Sequence, residues 1–282
     1  MSNHIFKPNR CPLGHGLHPN QPWFVLNAAT HYQRVGSQDP AISHFYHFEA
    51  DESQHHTLAV PDGCVDIIFD CDTARPSARV CGTTFEARSA HLKHGHRYFG
   101  IRFAIGLMPE CLDISAHELV DQEIDLTYLA PSAGPLIEQI VGMASCREQV
   151  ALAEAFFSGT AVRKASALTS QAVQLIWQHQ GSIRVDDIES ITGYTRRTLL
   201  RRFIADVGMS PKAFCRIVRC QLAVHHMSHG NSFALSQLAC ELGFSDQAHF
   251  QREFKQLVST TPLDYRRRLD TGAYLQRIQH VQ

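Results

Sequence analysis

The stretch Leu238-Ala239-Cys240-Glu241-Leu242-Gly243-Phe244-Ser245-Asp246-Gln247-Ala248-His249-Phe250-Gln251-Arg252-Glu253-Phe254-Lys255 decides the fold of the C-terminal part of this chain. Leu238, Ala239 and Leu242 give a short helix one apolar side. Gly243 stands where that helix must end, because glycine adopts the left-handed conformation that releases the chain into a sharp turn. Ser245 or Asp246 then caps a second helix, in which Phe250 and Phe254, four residues apart, point inward and Gln247, Gln251 and Arg252 outward. Beyond it, Thr261-Pro262 starts a short last helix bearing Tyr265, Arg266, Arg267 and Arg268.

The same order occurs once more upstream. Ile188, Gly193, Leu199, Arg201, Phe203, Pro211 and Phe214 correspond to Leu238, Gly243, Phe250, Arg252, Phe254, Pro262 and Tyr265, at an offset of 50 residues up to the glycine and 51 after it. The extra residue falls at Ser245-Asp246, where the first copy has only Thr195. Val185, Ile188 and Ile191 are spaced for the apolar side of the first helix. Thr195 offers the cap, Leu199 and Phe203 point to the core, and Arg196, Arg197, Leu200 and Arg201 lie on other faces. Gly208 stops this helix, and Ser210-Pro211 opens a long helix to about Ser228 with Phe214, Val218, Leu222 and Met227 on its buried side. That long helix sets the distance between the copies.

Charge divides the chain in the same place. Residues 1–162 hold 10 Lys/Arg against 18 Asp/Glu, a net of −8, and residues 163–282 hold 16 against 9, a net of +7. A basic segment attached to an acidic one is the electrostatic footprint of a nucleic-acid-binding unit joined to something that avoids phosphate. A helical repeat array that binds protein is the rival reading. It is disfavoured by there being only two copies on a rigid spacer, and by Arg, Gln and Thr on the outer face of each second helix, residue types that contact guanine, adenine and phosphate.

Residues from about Leu168 to Leu269 resemble the DNA-binding domain of the AraC family of transcription regulators, most specifically through Leu238-Ala239, Gly243-Phe244, His249-Phe250, Arg252, Phe254-Lys255, Thr261-Pro262 and Tyr265-Arg266. The resemblance implies two helix-turn-helix units placing recognition helices in successive major-groove faces, so that one chain reads a site of roughly 20 base pairs. It puts Arg197, Thr198 and Arg201 of the first helix, and Gln247, Ala248 and Arg252 of the second, at base edges or neighbouring phosphates. With Thr195, Arg196 and Gln251 these are the candidate DNA-binding residues. Two positions depart from the family pattern: Glu189 replaces the usual alanine, and Ser259 the usual glycine closing the second recognition helix. The latter costs up to about 1 kcal/mol if positive φ is required there.

The remainder reads as a second domain. Short apolar runs at Trp23 to Leu26, His44 to Phe48, Leu58 to Val60, Val65 to Phe69 and Phe99 to Phe103, separated by turn signals, predict a small β barrel or sandwich. Pro61-Asp62-Gly63 is a turn leading into a buried strand. Val60-Pro61-Asp62-Gly63-Cys64-Val65-Asp66 and Gly100-Ile101-Arg102-Phe103 resemble the regulatory domains of one AraC subgroup. After Met108 the pattern becomes helical, with Leu136, Ile140, Met143 and then Val150, Ala153, Phe157. This layer either packs on the sheet or, as the resemblance suggests, dimerises. The expected organisation is a β barrel or sandwich with a helical layer over 1–160, a linker at 161–168, an all-α tandem helix-turn-helix domain joined by a long helix over 169–270, and a tail at 271–282.

Other classes of function find little support. Twelve of the 18 histidines precede residue 120, but His94-Gly95-His96 is followed by Arg97-Tyr98-Phe99 and not by the carboxylate of a cupin-type metal site. The alternative of a cupin-like metal-binding or enzymatic domain with an appended DNA-binding module rests on these histidines and on His91. Cys64, Cys71 and Cys81 would be the redox-sensing candidates, yet the nine cysteines include no C-x-x-C pair and read as reduced, mostly buried thiols. No catalytic residue, metal or cofactor is expected. No apolar run reaches membrane-spanning length and the first residues carry charges, so a cytoplasmic protein is expected. The expected partners are double-stranded DNA, RNA polymerase for an activator, a homodimeric copy, and a small-molecule effector.

Overall fold

The computed structural model describes residues 20–51, 57–158, 161–229, 234–271 and 273–281. The first element is not a strand. Pro22–Leu26 is a short helix, α1, with Pro22 at its start and Trp23, Phe24 and Val25 all buried. A wholly apolar run has no alternation to separate strand from helix, and the proline pre-sets helical φ. Then follow β1 (Tyr32–Val35), β2 (Ile42–Glu49), β3 (Leu58–Ala59), β4 (Asp66–Asp70), β5 (Ser77–Cys81), β6 (Arg88–Ser89), β7 (Arg97–Phe103), β8 (Leu107–Pro109) and β9 (Glu123–Asp125). The pattern past Met108 turns helical only at α2 (Leu126–Leu129), followed by α3 (Gly134–Gly142) and α4 (Cys146–Ser158).

The C-terminal half is helical as expected: α5 (Ala167–Gln178), α6 (Val185–Thr192), α7 (Arg196–Val207), α8 (Pro211–His229), α9 (Leu235–Glu241), α10 (Gln247–Val258) and α11 (Pro262–Thr271). Three further pieces tie it to the front half. Val162–Lys164 forms β10, antiparallel to β8, in the stretch expected to be a linker. The tail folds into α12 (Tyr274–Arg277) and β11 (Ile278–Val281), and β11 pairs in parallel with β1.

The main sheet has seven strands in the order β11-β1-β2-β7-β4-β5-β9, with β3–β6 and β8–β10 as separate ribbons. Alternation along the strands gives it two unlike faces. One face, with Phe45, Ile67, Phe69, Val80, Phe99, Ile101 and Phe103, packs on Leu136, Ile137 and Ile140 of α3 and on Val150, Ala153 and Phe157 of α4. The apolar sides of α3 and α4 are thus engaged with the sheet. The other face carries Tyr32, Tyr46, Phe48 and Tyr98 and joins α1 and the helices of the C-terminal half in one continuous core. Full burial of each large apolar side chain contributes roughly 1.5–3 kcal/mol, so this shared core binds the two halves firmly.

Candidate nucleic-acid interface

Each helix-turn-helix unit is built by local chemistry. In the first, Ile188 is fully buried and Gly193 turns at φ +73°. Ile191, expected on the buried side, is 52% exposed. Three-residue spacing drifts around a helix that repeats every 3.6 residues, and the turn at Gly193 leaves this last position facing out. Thr195 caps α7 by accepting a hydrogen bond from the Thr198 N–H, and Leu199 and Phe203 are fully buried. In the second, Gly243 also turns at φ +73°. Asp246, not Ser245, is the cap, accepting from the His249 N–H at 2.7 Å, while Ser245 Oγ lies 3.1 Å from Asp246 Oδ2. The two accepted hydrogen bonds hold the Asp246 carboxyl below the usual carboxylate range.

The side chains expected to meet DNA are on the surface. Thr195, Arg196, Arg197 and Arg201 of the first unit are exposed and Thr198 is half-exposed; Gln247, Ala248, Gln251 and Arg252 of the second are exposed. Arg196 reaches Asp186 of α6 at 3.8 Å, in water on both sides, and Thr198 Oγ1 lies 3.1 Å from Thr195 Oγ1. An exposed ion pair of this kind is worth little and yields readily to a phosphate. Leu200, 41% exposed, interrupts the polar face of α7.

The opposite ends of the recognition helices are held by the N-terminal half. The close of α7, at Gly208, lies against the backbone of Ala116 and the side chain of Val120. Asp206, in its last turn, accepts hydrogen bonds from the Ser166 backbone N–H (2.9 Å) and hydroxyl (2.7 Å). At the end of α10, Trp23 Nε1 of α1 donates to the Val258 carbonyl at 3.1 Å and Gln256 donates to Glu86 at 2.5 Å. The Trp23 ring meets Tyr265 edge-on at 5.7 Å, with Arg268 stacked over it at 5.2 Å. Arg216 of α8 grips α10 through Glu253 (2.5 and 3.1 Å) and Gln256 (2.9 Å).

Between these grips, α8 carries the turn at Pro61-Asp62-Gly63. Gln221, 3% exposed, donates to the Pro61 carbonyl at 2.8 Å and accepts from the Asn20 N–H at 2.8 Å. A Cβ added at Gly63 (φ +81°) would lie 2.8 Å from the Phe214 ring, so only glycine lets the turn sit this close to α8. The helix is consequently buried on more of its surface than Phe214, Val218, Leu222 and Met227 alone require; Ile217, Cys220, Gln221 and Val224 are buried too. Sequence reasoning missed Gln221 and Trp23. A glutamine amid buried apolar positions and a tryptophan beside a helix-starting proline were the available signals.

Behind the turn is a buried charge cluster. Arg102 donates to Asp66 through Nε (2.8 Å) and Nη2 (2.6 Å), while its Nη1 lies 3.1 Å from Asp62, within ion-pair reach but off the line of a hydrogen bond. Tyr46 donates to Asp66 at 3.0 Å and Gln21 to Asp62 at 2.8 Å. Burial pushes the Asp66 carboxyl up, opposed by Arg102. The Asp62 carboxylate also accepts from the Cys64 N–H at 2.9 Å, closing the Pro-Asp-Gly turn.

His91, His94 and His96 do not converge on one point. His94 bonds the Asp51 carbonyl at 3.0 Å, His96 bonds Asp70 at 2.7 Å, and His91 lies 3.5 Å from Glu123. Among the described residues no group of three or more His, Cys, Asp or Glu is placed to hold a metal ion. Burial raises the thiols of Cys64, Cys71 and Cys81, which keeps them protonated and unreactive. Among the described residues no helix is long and apolar enough to cross a membrane.

Residues 189–268 match a family described as a helix-turn-helix domain, and residues 39–125 match a family described as a domain of unknown function. The chain is similar to an uncharacterised HTH-type transcriptional regulator of Haemophilus influenzae, 27% identical over 36% of this chain and 33% of that protein. It is also similar to a putative AraC-like transcription regulator of Streptomyces lividans, 30% identical over 29% of this chain and 27% of that one. The chain thus spans a third or less of the length of these curated relatives. A solved transcriptional regulator of Chromobacterium violaceum with an AraC-type DNA-binding domain is 25% identical over 36% of this chain and 91% of that one, with a TM-score of 0.34.

Proposed function

We propose, taking the helix-turn-helix match at residues 189–268 as the premise, that the protein is a sequence-specific DNA-binding transcription regulator of the AraC type. The observation that carries this reading is the polarity of the two recognition helices: each exposes its N-terminal, cation- and amide-bearing turns and has its far end gripped by the N-terminal half. Arg197, Arg201, Gln247, Gln251 and Arg252 then read bases or phosphates, with Thr195, Arg196, Thr198 and Ala248 at the same surface. The N-terminal half acts by binding, not by catalysis, as the seat of an effector or of a second copy of the chain. Because α3 and α4 direct their apolar sides to the sheet, a dimer through them would use their outer, polar sides. Contact with RNA polymerase would make the protein an activator, and a cytoplasmic location fits a protein whose partner is DNA.

The test is selection of bound fragments from sheared genomic DNA by the purified full chain, followed by gel shift on the recovered site at several salt concentrations. Enrichment of an asymmetric bipartite motif spanning about two helical turns, with affinity falling steeply as salt rises, is expected. Absence of DNA binding even at low salt overturns the reading.

A further inference from the structure

The face of the sheet turned toward the C-terminal half carries a second arginine, and it is unlike Arg102. Arg34 on β1 sits next to Tyr32 on the same face and lines a cleft with Asn20, Gln21, His44, Arg102 and the tail residues Tyr274 and Ile278. Arg102 is committed to Asp62 and Asp66. Among the described residues Arg34 has one hydrogen-bond partner, the Nδ1 of His44 at 3.4 Å, and no carboxylate pairs with it. Its other charged and ionisable neighbours there are Arg102, Tyr32 and Tyr274, and burial together with the adjacent Arg102 makes its charge costly to hold. Neither Asp62 nor Asp66 lines the cleft; both are engaged by Arg102. A largely buried guanidinium without a carboxylate is an energetic anomaly, since charges withdrawn from water are ordinarily paired.

We propose that this cleft binds the head group of a small organic monocarboxylate, with Arg34 as the charge partner. Arg34 presents the planar fork that matches a carboxylate. Asn20 and Gln21 stand beside it, and Val25 and Ile278 supply apolar wall. With two carboxylates, Asp62 and Asp66, around the single charge of Arg102 nearby, a monoanion on Arg34 suits the cleft better than a phosphate dianion. The cleft measures about 20 Å³. A single water requires roughly 10–15 Å³ by that measure, so one carboxylate oxygen fits beside Arg34, and the second oxygen and the rest of the molecule lie in the open mouth. The cleft is walled on one side by β1 and on the other by Tyr274 and Ile278, so an occupant bridges the sheet and the segment that follows the second helix-turn-helix unit. Its role as an effector site rests on the regulatory reading above, whereas the binding itself does not.

Titration calorimetry and thermal denaturation of the purified full chain with propionate, benzoate, benzamide and inorganic phosphate test the proposal. Propionate or benzoate should bind once per chain and raise the melting temperature saturably, benzamide should not, and Arg34→Met should weaken carboxylate binding at least tenfold. An Ile278→Phe variant, which fills the cleft from the tail side and leaves Arg34 in place, should weaken it likewise and serves if Arg34→Met does not fold. No saturable carboxylate binding, equal binding of benzamide, binding unchanged in either variant, or tighter binding of phosphate would overturn the assignment. Gel shift of the same preparations separates the two readings: carboxylate binding without DNA binding removes the regulator and keeps the site, and the reverse removes the site alone.

Discussion

At the close of the first recognition helix the chain turns through Gly208 at φ +85°, pressed against the Ala116 carbonyl and Val120; at the close of the second it turns through Ser259 at φ +65°, which is exposed. At the helix starts the contrast is one of chemistry, a neutral Thr195 cap in the first unit and an ionised Asp246 cap in the second. The outer faces differ as well, with arginines dominating α7 and glutamines interleaved with one arginine on α10. Two units with one skeleton therefore meet different neighbours at one end and expose different side-chain chemistry at the other. Repetition specifies the helices, and the surroundings specify the positions where repetition stops.

The most damaging way to test this contrast is at the first closing turn. Gly208→Ala adds a Cβ about 2.6 Å from Val120 and 2.7 Å from the Ala116 carbonyl, at a positive φ. Backbone strain and overpacking together should cost about 2–4 kcal/mol, read as a lower urea midpoint at unchanged slope. An unchanged midpoint would mean that the N-terminal half does not press on this turn.

Next come the residues proposed to read bases. Arg201→Ala and Arg252→Ala should each lose about 1–3 kcal/mol of discrimination, at one base position in different half-sites. Uniform weakening across all sequences, with a salt slope reduced by about one, would reassign the side chain to a phosphate. Shared loss at a single half-site would contradict the bipartite geometry.

The caps separate the units by pH. Thr195→Ala should cost about 1 kcal/mol at any pH. The Asp246 carboxyl is held below its ordinary value of 3.8, so the stability it contributes is present above that value and is lost as pH falls through the lowered one. Asp246→Thr should therefore flatten the fall of melting temperature between about pH 5 and about pH 3 relative to the parent protein. Parallel curves would show that the cap is not sensed. The smallest expected effect is a gain: Ser259→Gly should stabilise by up to about 1 kcal/mol, because the positive φ is already adopted and no neighbour is displaced.

The C-terminal unit was legible because its rules are local. A glycine that must turn, a hydroxyl or carboxylate that must cap and phenylalanines four apart are each set by residues within a helical turn or two of one another. The strands were legible as short apolar runs between turn signals, as in Val65 to Phe69, and the same kind of run misled at Trp23 to Leu26, where Pro22 starts a helix whose Trp23, Phe24 and Val25 are buried because two halves of the protein close on it. The fate of residues 162–164 and 278–281 depended on partners more than 50 and more than 240 residues away, Leu107 to Pro109 and Tyr32 to Val35. Four residues carry no pattern that names such a partner. Of the candidate DNA surface, the exposed residues were found from spacing, but the grip at its back through Gln221 and Trp23 was not, because single polar contacts across domains leave no periodic trace.

The parallel pairing of β11 with β1 has a consequence for how the protein is made. Strand β1 emerges early in synthesis, while the segment that covers its outer edge is some 240 residues behind it in the chain. At ribosomal rates of about 5–20 residues per second the edge stays open for about 12 to 50 seconds. An open strand edge is a template for pairing with a neighbouring chain, so nascent copies on one messenger are exposed to intermolecular pairing throughout that interval. Arg34 and Gln33, standing on that strand beside the apolar Tyr32 and Val35, are the polar residues that discourage it until Ile278 to Val281 arrive.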